Sequence, residues 1–118
     1  MADVVYLVQD MLFTSKIREA AKAVGLTVQA TREPAALVAA AGGAQLVIVD
    51  LRLPAALDAL SALGADAAAK GVRSVAFIDH EKLDVMDQAR ERGCGQVMAK
   101  GQFANALPRL LAGLAPTP

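Results

Sequence analysis

The feature that most constrains this chain is the run Leu46-Val47-Ile48-Val49-Asp50-Leu51-Arg52-Leu53-Pro54. Four apolar residues, three of them β-branched, lead straight into a carboxylate, and a proline follows four positions later. A continuous apolar run bounded by turn residues is the pattern of a strand covered on both faces, as in a parallel sheet. Asp50 then falls at the carboxyl end of that strand, and in open α/β sheets such ends face the crevice where ligands bind. A carboxylate in this position must be solvated, paired or metal-bound, because burying it bare is costly. Asp50 is therefore a candidate functional residue. Capping of the following helix is the alternative reading.

The remaining segments supply the neighbours that a doubly covered strand needs. Residues 4–8, Val-Val-Tyr-Leu-Val, predict a first buried strand ending at Gln9-Asp10. Thr14 or Ser15 can cap a helix with Ile17, Ala20, Ala21 and Val24 at helical spacing and Gly25 as its stop. A weaker strand follows at 26–30. Thr31 with Glu33-Pro34 opens a second helix through Ala41, and Gly42-Gly43 ends it. After Pro54, the positions of Leu57, Leu60 and Leu63 mark a third helix, weakened by Gly64 and stopped by Gly71. Residues 74–78 predict a fourth strand, ending at Asp79-His80. A charged helix over 82–92 places Leu83, Met86 and Ala89 inward, and Gly93 closes it. A short fifth strand, 96–99, ends at Lys100-Gly101. The last helix is expected from about 104 to 114, followed by a frayed tail, 115–118.

Strands that alternate with helices imply right-handed βαβ units, hence a parallel sheet with helices on both faces. Five such units predict an α/β, flavodoxin-like, three-layer sandwich with strand order 2-1-3-4-5, five helices and a single domain over residues 1–118. Composition closes off other classes. With 12 basic and 12 acidic residues, charge gives no reason to propose nucleic acid or an anionic membrane as a partner. One cysteine rules out an internal disulfide framework and fits a reducing cytoplasm. The start, Met1-Ala2-Asp3-Val4, lacks the basic lead and apolar run of a secretory signal, and no stretch reaches the roughly 20 apolar residues of a membrane span. A cytoplasmic domain, monomeric or weakly dimeric, is expected.

Taken together, the strand ends carry Asp10, Asp50, Asp79 and Lys100. In the expected topology the carboxyl ends of strands one, three, four and five converge, so these charges share a site rather than cap separate helices. Carboxylates in such a cluster suit magnesium, which takes oxygen ligands and keeps several waters. The lysine supplies a compact positive charge for a phosphoryl oxygen.

With these residues in place, the chain resembles the receiver domain of two-component response regulators along essentially its whole length. The resemblance rests on Val49-Asp50-Leu51-Arg52-Leu53-Pro54, on the acid after strand one, on Gly93-Cys94 and on Met98-Ala99-Lys100. It implies Asp50 as the phosphoacceptor and Asp10, Asp50 and the Arg52 backbone carbonyl as magnesium ligands. It also implies that Lys100 pairs with Asp50 and then with the phosphoryl oxygens. Metal and lysine would neutralise the charge on the transferring group.

The departures from the family pattern redirect that reading. Receivers carry two adjacent acids after strand one, and here Gln9 replaces one of them, which weakens the metal site. Asp79 stands at the family's Ser/Thr position. An ionised carboxylate there cannot donate a hydrogen bond and repels a phosphoryl dianion. At an effective dielectric of about 20, two unit charges 4 Å apart cost about 4 kcal/mol. Val97 occupies the aromatic switch position. The sequence reading is therefore an atypical pseudo-receiver, not an enzyme, that signals through protein partners by its fourth helix, fifth strand and fifth helix. A working phosphoacceptor, charged on Asp50 by a histidine kinase with magnesium, is the alternative. A flavodoxin-like redox protein is a remote third, since the loop after strand one has no glycine and the chain has no Trp and one Tyr.

Other residues carry less. His80 is expected to be a solvated loop side chain, with a cation site shared with Asp79 and Glu81 as the alternative. Cys94 is expected to pack as a small apolar residue.

Overall fold

The computed structural model describes residues 2–114. Five parallel strands, β1 (Val4–Leu7), β2 (Val28–Thr31), β3 (Leu46–Asp50), β4 (Arg73–Ile78) and β5 (Gln96–Ala99), form one sheet in the order β2-β1-β3-β4-β5. They alternate with α1 (Met11–Ala23), α2 (Pro34–Ala41), α3 (Ala56–Ala65), α4 (Leu83–Glu91) and α5 (Lys100–Ala112). This is the flavodoxin-like sandwich that the alternating pattern predicts. β1 and β3 are buried along their whole lengths, as their continuous apolar sequences require.

Two cores flank the sheet. On one side Tyr6, Ile48, Phe77 and Met98 pack against Phe13 and Ile17 of α1 and Phe103 and Leu107 of α5. On the other, Val47, Val49 and Ala76 meet α2, α3 and α4 through Leu37, Ala41, Ala59, Leu60 and Ala89. The alternation along β3 divides its side chains between the two cores, and Asp50 follows the parity of Leu46 and Ile48.

Several helix ends differ from the sequence reading. α1 begins at Met11, not near Thr14 or Ser15, because the Asp10 carboxylate accepts hydrogen bonds from the N–H groups of Leu12 and Phe13, 2.8 and 3.2 Å. Thr31 ends β2, and its buried hydroxyl donates to the Tyr6 carbonyl at 2.8 Å. α3 stops at Ala65, before Gly71, because Asp66 leaves the helical conformation and its side chain accepts from the N–H groups of Ala68 and Ala69. Leu83 starts α4 but is 65% exposed, leaving Met86 and Ala89 to face the core. α5 starts four residues earlier than expected, at Lys100, and carries Pro108 on its exposed side. Gly93 adopts φ 92°, a left-handed conformation that closes α4 without a Cβ penalty. The tail expected to fray, 115–118, lies outside the described residues. Among the described residues, no helix is long and apolar enough to cross a membrane.

Candidate functional site

The site forms where β3 ends. Asp50 is the last residue of β3 and pairs in register with Phe77 of β4. Two bonds turn the chain back at once. The Leu53 N–H donates to the Asp50 carbonyl at 3.2 Å, and the Arg52 N–H donates to Asp50 Oδ1 at 2.9 Å. The second closes an Asx turn, a local device by which Asp bends its own backbone. The turn carries the Arg52 side chain back over the strand end, where it keeps 30% of its surface in solvent.

Arg52 then grips Asp50 with a planar fork. Nε donates to Oδ1 at 3.0 Å and Nη2 donates to Oδ2 at 2.8 Å. Nη2 also reaches Oδ2 of Asp10 at 3.3 Å. The guanidinium carbon lies 5.6 Å from the centre of the Phe13 ring and 5.9 Å from that of Phe77, within cation–π range. Those rings belong to a three-membered cluster: Phe77 stacks on Phe103 at 4.4 Å, and Phe13 sits 4.8 Å from Phe77. Arg52 is thus held by acids through its nitrogens and by aromatic rings near its face. The Asp50 partnership favours its charged form further.

The acids differ in their surroundings. Asp50 is only 1% exposed, whereas the Asp10 side chain retains about a third of its surface. Asp10 serves two structures: Oδ1 caps α1, and Oδ2 meets Arg52. The Phe13 N–H, then the Leu12 N–H and Arg52, hold its carboxyl below the usual carboxylate range. Capping and membership of a shared site, alternatives in the sequence, are both true of this residue. Asp50, by contrast, caps no helix; the residue at the α3 cap position is Ala55.

Lys100 is placed differently from its expected pairing with Asp50. Its ammonium lies 3.2 Å from Asp79 Oδ1, an ion pair without the alignment of a hydrogen bond. Strand register explains the change. Ile78 pairs with Ala99, so Asp79 and Lys100 leave adjacent strands at the same level. Asp50 lies one strand farther away, about 4.8 Å in the sheet direction, and its oxygens are already taken by Arg52. Asp79, His80, Glu81 and Lys100 line an open depression beside this pair. Among the described residues, no group of three or more His, Cys, Asp or Glu side chains is placed to hold a metal, the Asp79-His80-Glu81 set included.

A divalent ion does not fit the acids as they stand. Magnesium needs oxygen lone pairs at about 2.0–2.1 Å in near-octahedral array. Both Asp50 oxygens and one Asp10 oxygen are engaged by Arg52, and the other Asp10 oxygen holds α1. Arg52, the residue expected to offer its backbone carbonyl to a metal, brings its side chain into the pocket. The signal for this was present in the sequence as Asp50-Leu51-Arg52: an arginine two residues beyond a strand-end carboxylate, in a chain where Gln9 removes a competing acid. The contributions of Phe13 and Phe77 depend on the sheet register and have no local signature.

No protein-family model matches the sequence, and no curated protein matches it. Solved structures do. A response regulator from Hahella chejuensis superposes with a TM-score of 0.79 at 19% identity, covering 95% of this chain and 93% of its own. The receiver domain of a Pseudomonas aeruginosa sensor histidine kinase, with magnesium coordinated in its active-site cleft, gives 0.76 at 17% identity and 93% of each chain. A phosphorylated cyanobacterial phytochrome response regulator gives 0.72 at 18% identity, covering 96% of this chain and 91% of its own. Strand order, helix placement and near-complete mutual coverage agree: the chain has the fold of a response-regulator receiver domain.

Proposed function

We propose that this chain is a receiver-like signalling module of the two-component type that works through protein contacts, as a pseudo-receiver, without phosphorylation of Asp50 and without enzymatic activity of its own. The observation that carries the reading is the internal pairing of its charges: Arg52 engages both oxygens of Asp50, and Lys100 is drawn to Asp79. A phosphoacceptor carboxylate has to present a free oxygen to the donor phosphorus, with cations poised around the leaving charge. Here the nucleophile is clamped, the lysine faces Asp79 instead of Asp50, and a carboxylate borders the space a phosphoryl group would enter. Magnesium enters this reading only as a weak competitor for the seat of Arg52. Output falls to the α4-β5-α5 surface, where Leu83 presents an exposed apolar side chain to a protein partner.

The convergence of Asp10, Asp50 and Lys100 on one end of the sheet favours a second reading, a live phosphoacceptor fed by a histidine kinase. Intact mass after incubation with magnesium and a small-molecule phosphodonor separates the two, with Asp50→Asn as control. The pseudo-receiver reading expects no adduct on a folded protein. A single phosphoryl adduct that disappears in the control would replace it with the second.

A further inference from the structure

We propose that the crevice carries its own cation: the Arg52 guanidinium takes the place of a divalent metal ion, and the domain reaches its working conformation without one. Three observations converge on this. The first is electrostatic. Asp10 and Asp50 bring two negative charges to one point, and Arg52 returns one positive charge through three side-chain contacts of 2.8, 3.0 and 3.3 Å. A divalent ion added to that point would meet the guanidinium at contact distance and could enter only by displacing it toward solvent, so the two cations compete for one seat.

The second is shape. A carboxylate that accepts both prongs of an arginine fork is matched to a planar donor set, whereas a hard metal ion asks for a shell of oxygens. Phe13 and Phe77 complete the seat with ring faces that attract a weakly hydrated guanidinium and offer nothing to the water ligands magnesium retains. The third is the backbone. The Asx turn that returns Arg52 to the strand end uses an Asp50 oxygen that would otherwise be available to a metal. The arginine is thus built into the pocket by the same turn that shapes it.

Removal of the side chain should convert the seat into a metal site. Oδ2 of Asp50 and Oδ2 of Asp10 both lie within 3.3 Å of the position of Nη2, and two carboxylates with water suffice for a weak divalent site. Manganese titration, read from the loss of the free-ion spin-resonance signal, tests this on the whole chain. Wild type should show no saturable binding in the millimolar range, and its melting temperature should be the same in EDTA and in magnesium. Arg52→Ala should gain one site, tighter by about tenfold or more, the scale on which one outer-shell change moves metal affinity. That variant should also melt higher with magnesium than without.

Arg52→Ala combined with Asp50→Asn should lose the gained site, and Arg52→Lys, which keeps the charge, should stay closed to manganese. If Arg52→Ala does not fold, Arg52→Gln provides the same test with the side-chain length retained. Manganese binding to wild type as tight as to the variants would overturn the proposal, as would a folded Arg52→Ala or Arg52→Gln that gains no site. The titration contains no phosphodonor, so its outcome is independent of whether Asp50 accepts a phosphoryl group.

Discussion

Two ion pairs stand at the carboxyl ends of neighbouring strands and are built in opposite ways. Arg52 and Asp50 meet through a two-pronged fork with the acid buried, beside aromatic rings and a second carboxylate. Lys100 and Asp79 meet through one unaligned contact, with 45% and 40% of their side chains exposed. The difference teaches that opposite charges at the rim of a sheet are not equivalent. Where the whole acid is out of reach of water, the cation becomes part of the structure; where both side chains keep close to half of their surface, solvent screens the pair and it contributes little, even though the contacting oxygen of Asp79 is itself covered.

The strongest way to break the comparison is to remove the buried pair's cation. Arg52→Ala leaves the buried Asp50 carboxylate with the backbone N–H of residue 52 but no cation, and is expected to cost about 3 kcal/mol of unfolding free energy in urea titrations at neutral pH. Asp50→Asn should cost less, about 1–2 kcal/mol, because Asn still accepts from the Arg52 backbone and the part-exposed guanidinium can turn to water. Equal losses from these two substitutions would mean that the pair is wetter than its burial indicates.

At the other end, Lys100→Ala should change stability by no more than about 0.5 kcal/mol, after allowing for solvent screening. In about 1 M salt, where the screening length is about 3 Å, even that should vanish while the cost of Arg52→Ala persists. Paired melts at low and high salt check both arms. The smallest effect belongs to pH. Asp10 has a folded pKa below its ordinary value through the Phe13 N–H first, and Asp3 through the Thr27 N–H first. Each therefore contributes stability in full above the unfolded carboxylate pKa of about 3.9, and the contribution is lost as pH falls through the lower folded value. Melting temperature should stay level through weakly acidic pH and decline below about pH 4. The decline should be shallower in Asp10→Asn, which keeps the α1 cap but not the charge.

The parts legible in the sequence were those governed by covering a strand on both sides. Val4–Leu7 and Leu46–Asp50 are apolar without interruption, which forces helices onto both faces and fixes the alternation from which the sheet order follows. Helix starts were harder. Asp10 reads in the sequence as a site residue or a helix cap, and in the fold it is both; Lys100 follows a strand in the sequence pattern yet opens α5 in the fold. The site acids were visible because each follows a strand. Their pairing was not, because it depends on which strand ends are level: Asp79 beside Lys100 follows from Ile78 opposite Ala99, a match that only the folded sheet supplies. Leu83 satisfied the helical spacing but sits in the first turn of α4, where the chain has not yet reached the core.

The double engagement of Asp10 has a consequence for how the crevice responds to disturbance. Its two oxygens tether α1 and Arg52, and Arg52 in turn holds Asp50, so one carboxylate links helix, turn and strand end. Once any of these contacts forms, the next is made at high local concentration and gives up little further freedom. Groups bound in this way release together rather than one by one. The first turn of α1, with Met11 and Leu12 exposed upon it, therefore shares its opening transition with a charge cluster two strands away in the chain, and hydrogen exchange at the Leu12 and Phe13 amides should report the state of Arg52.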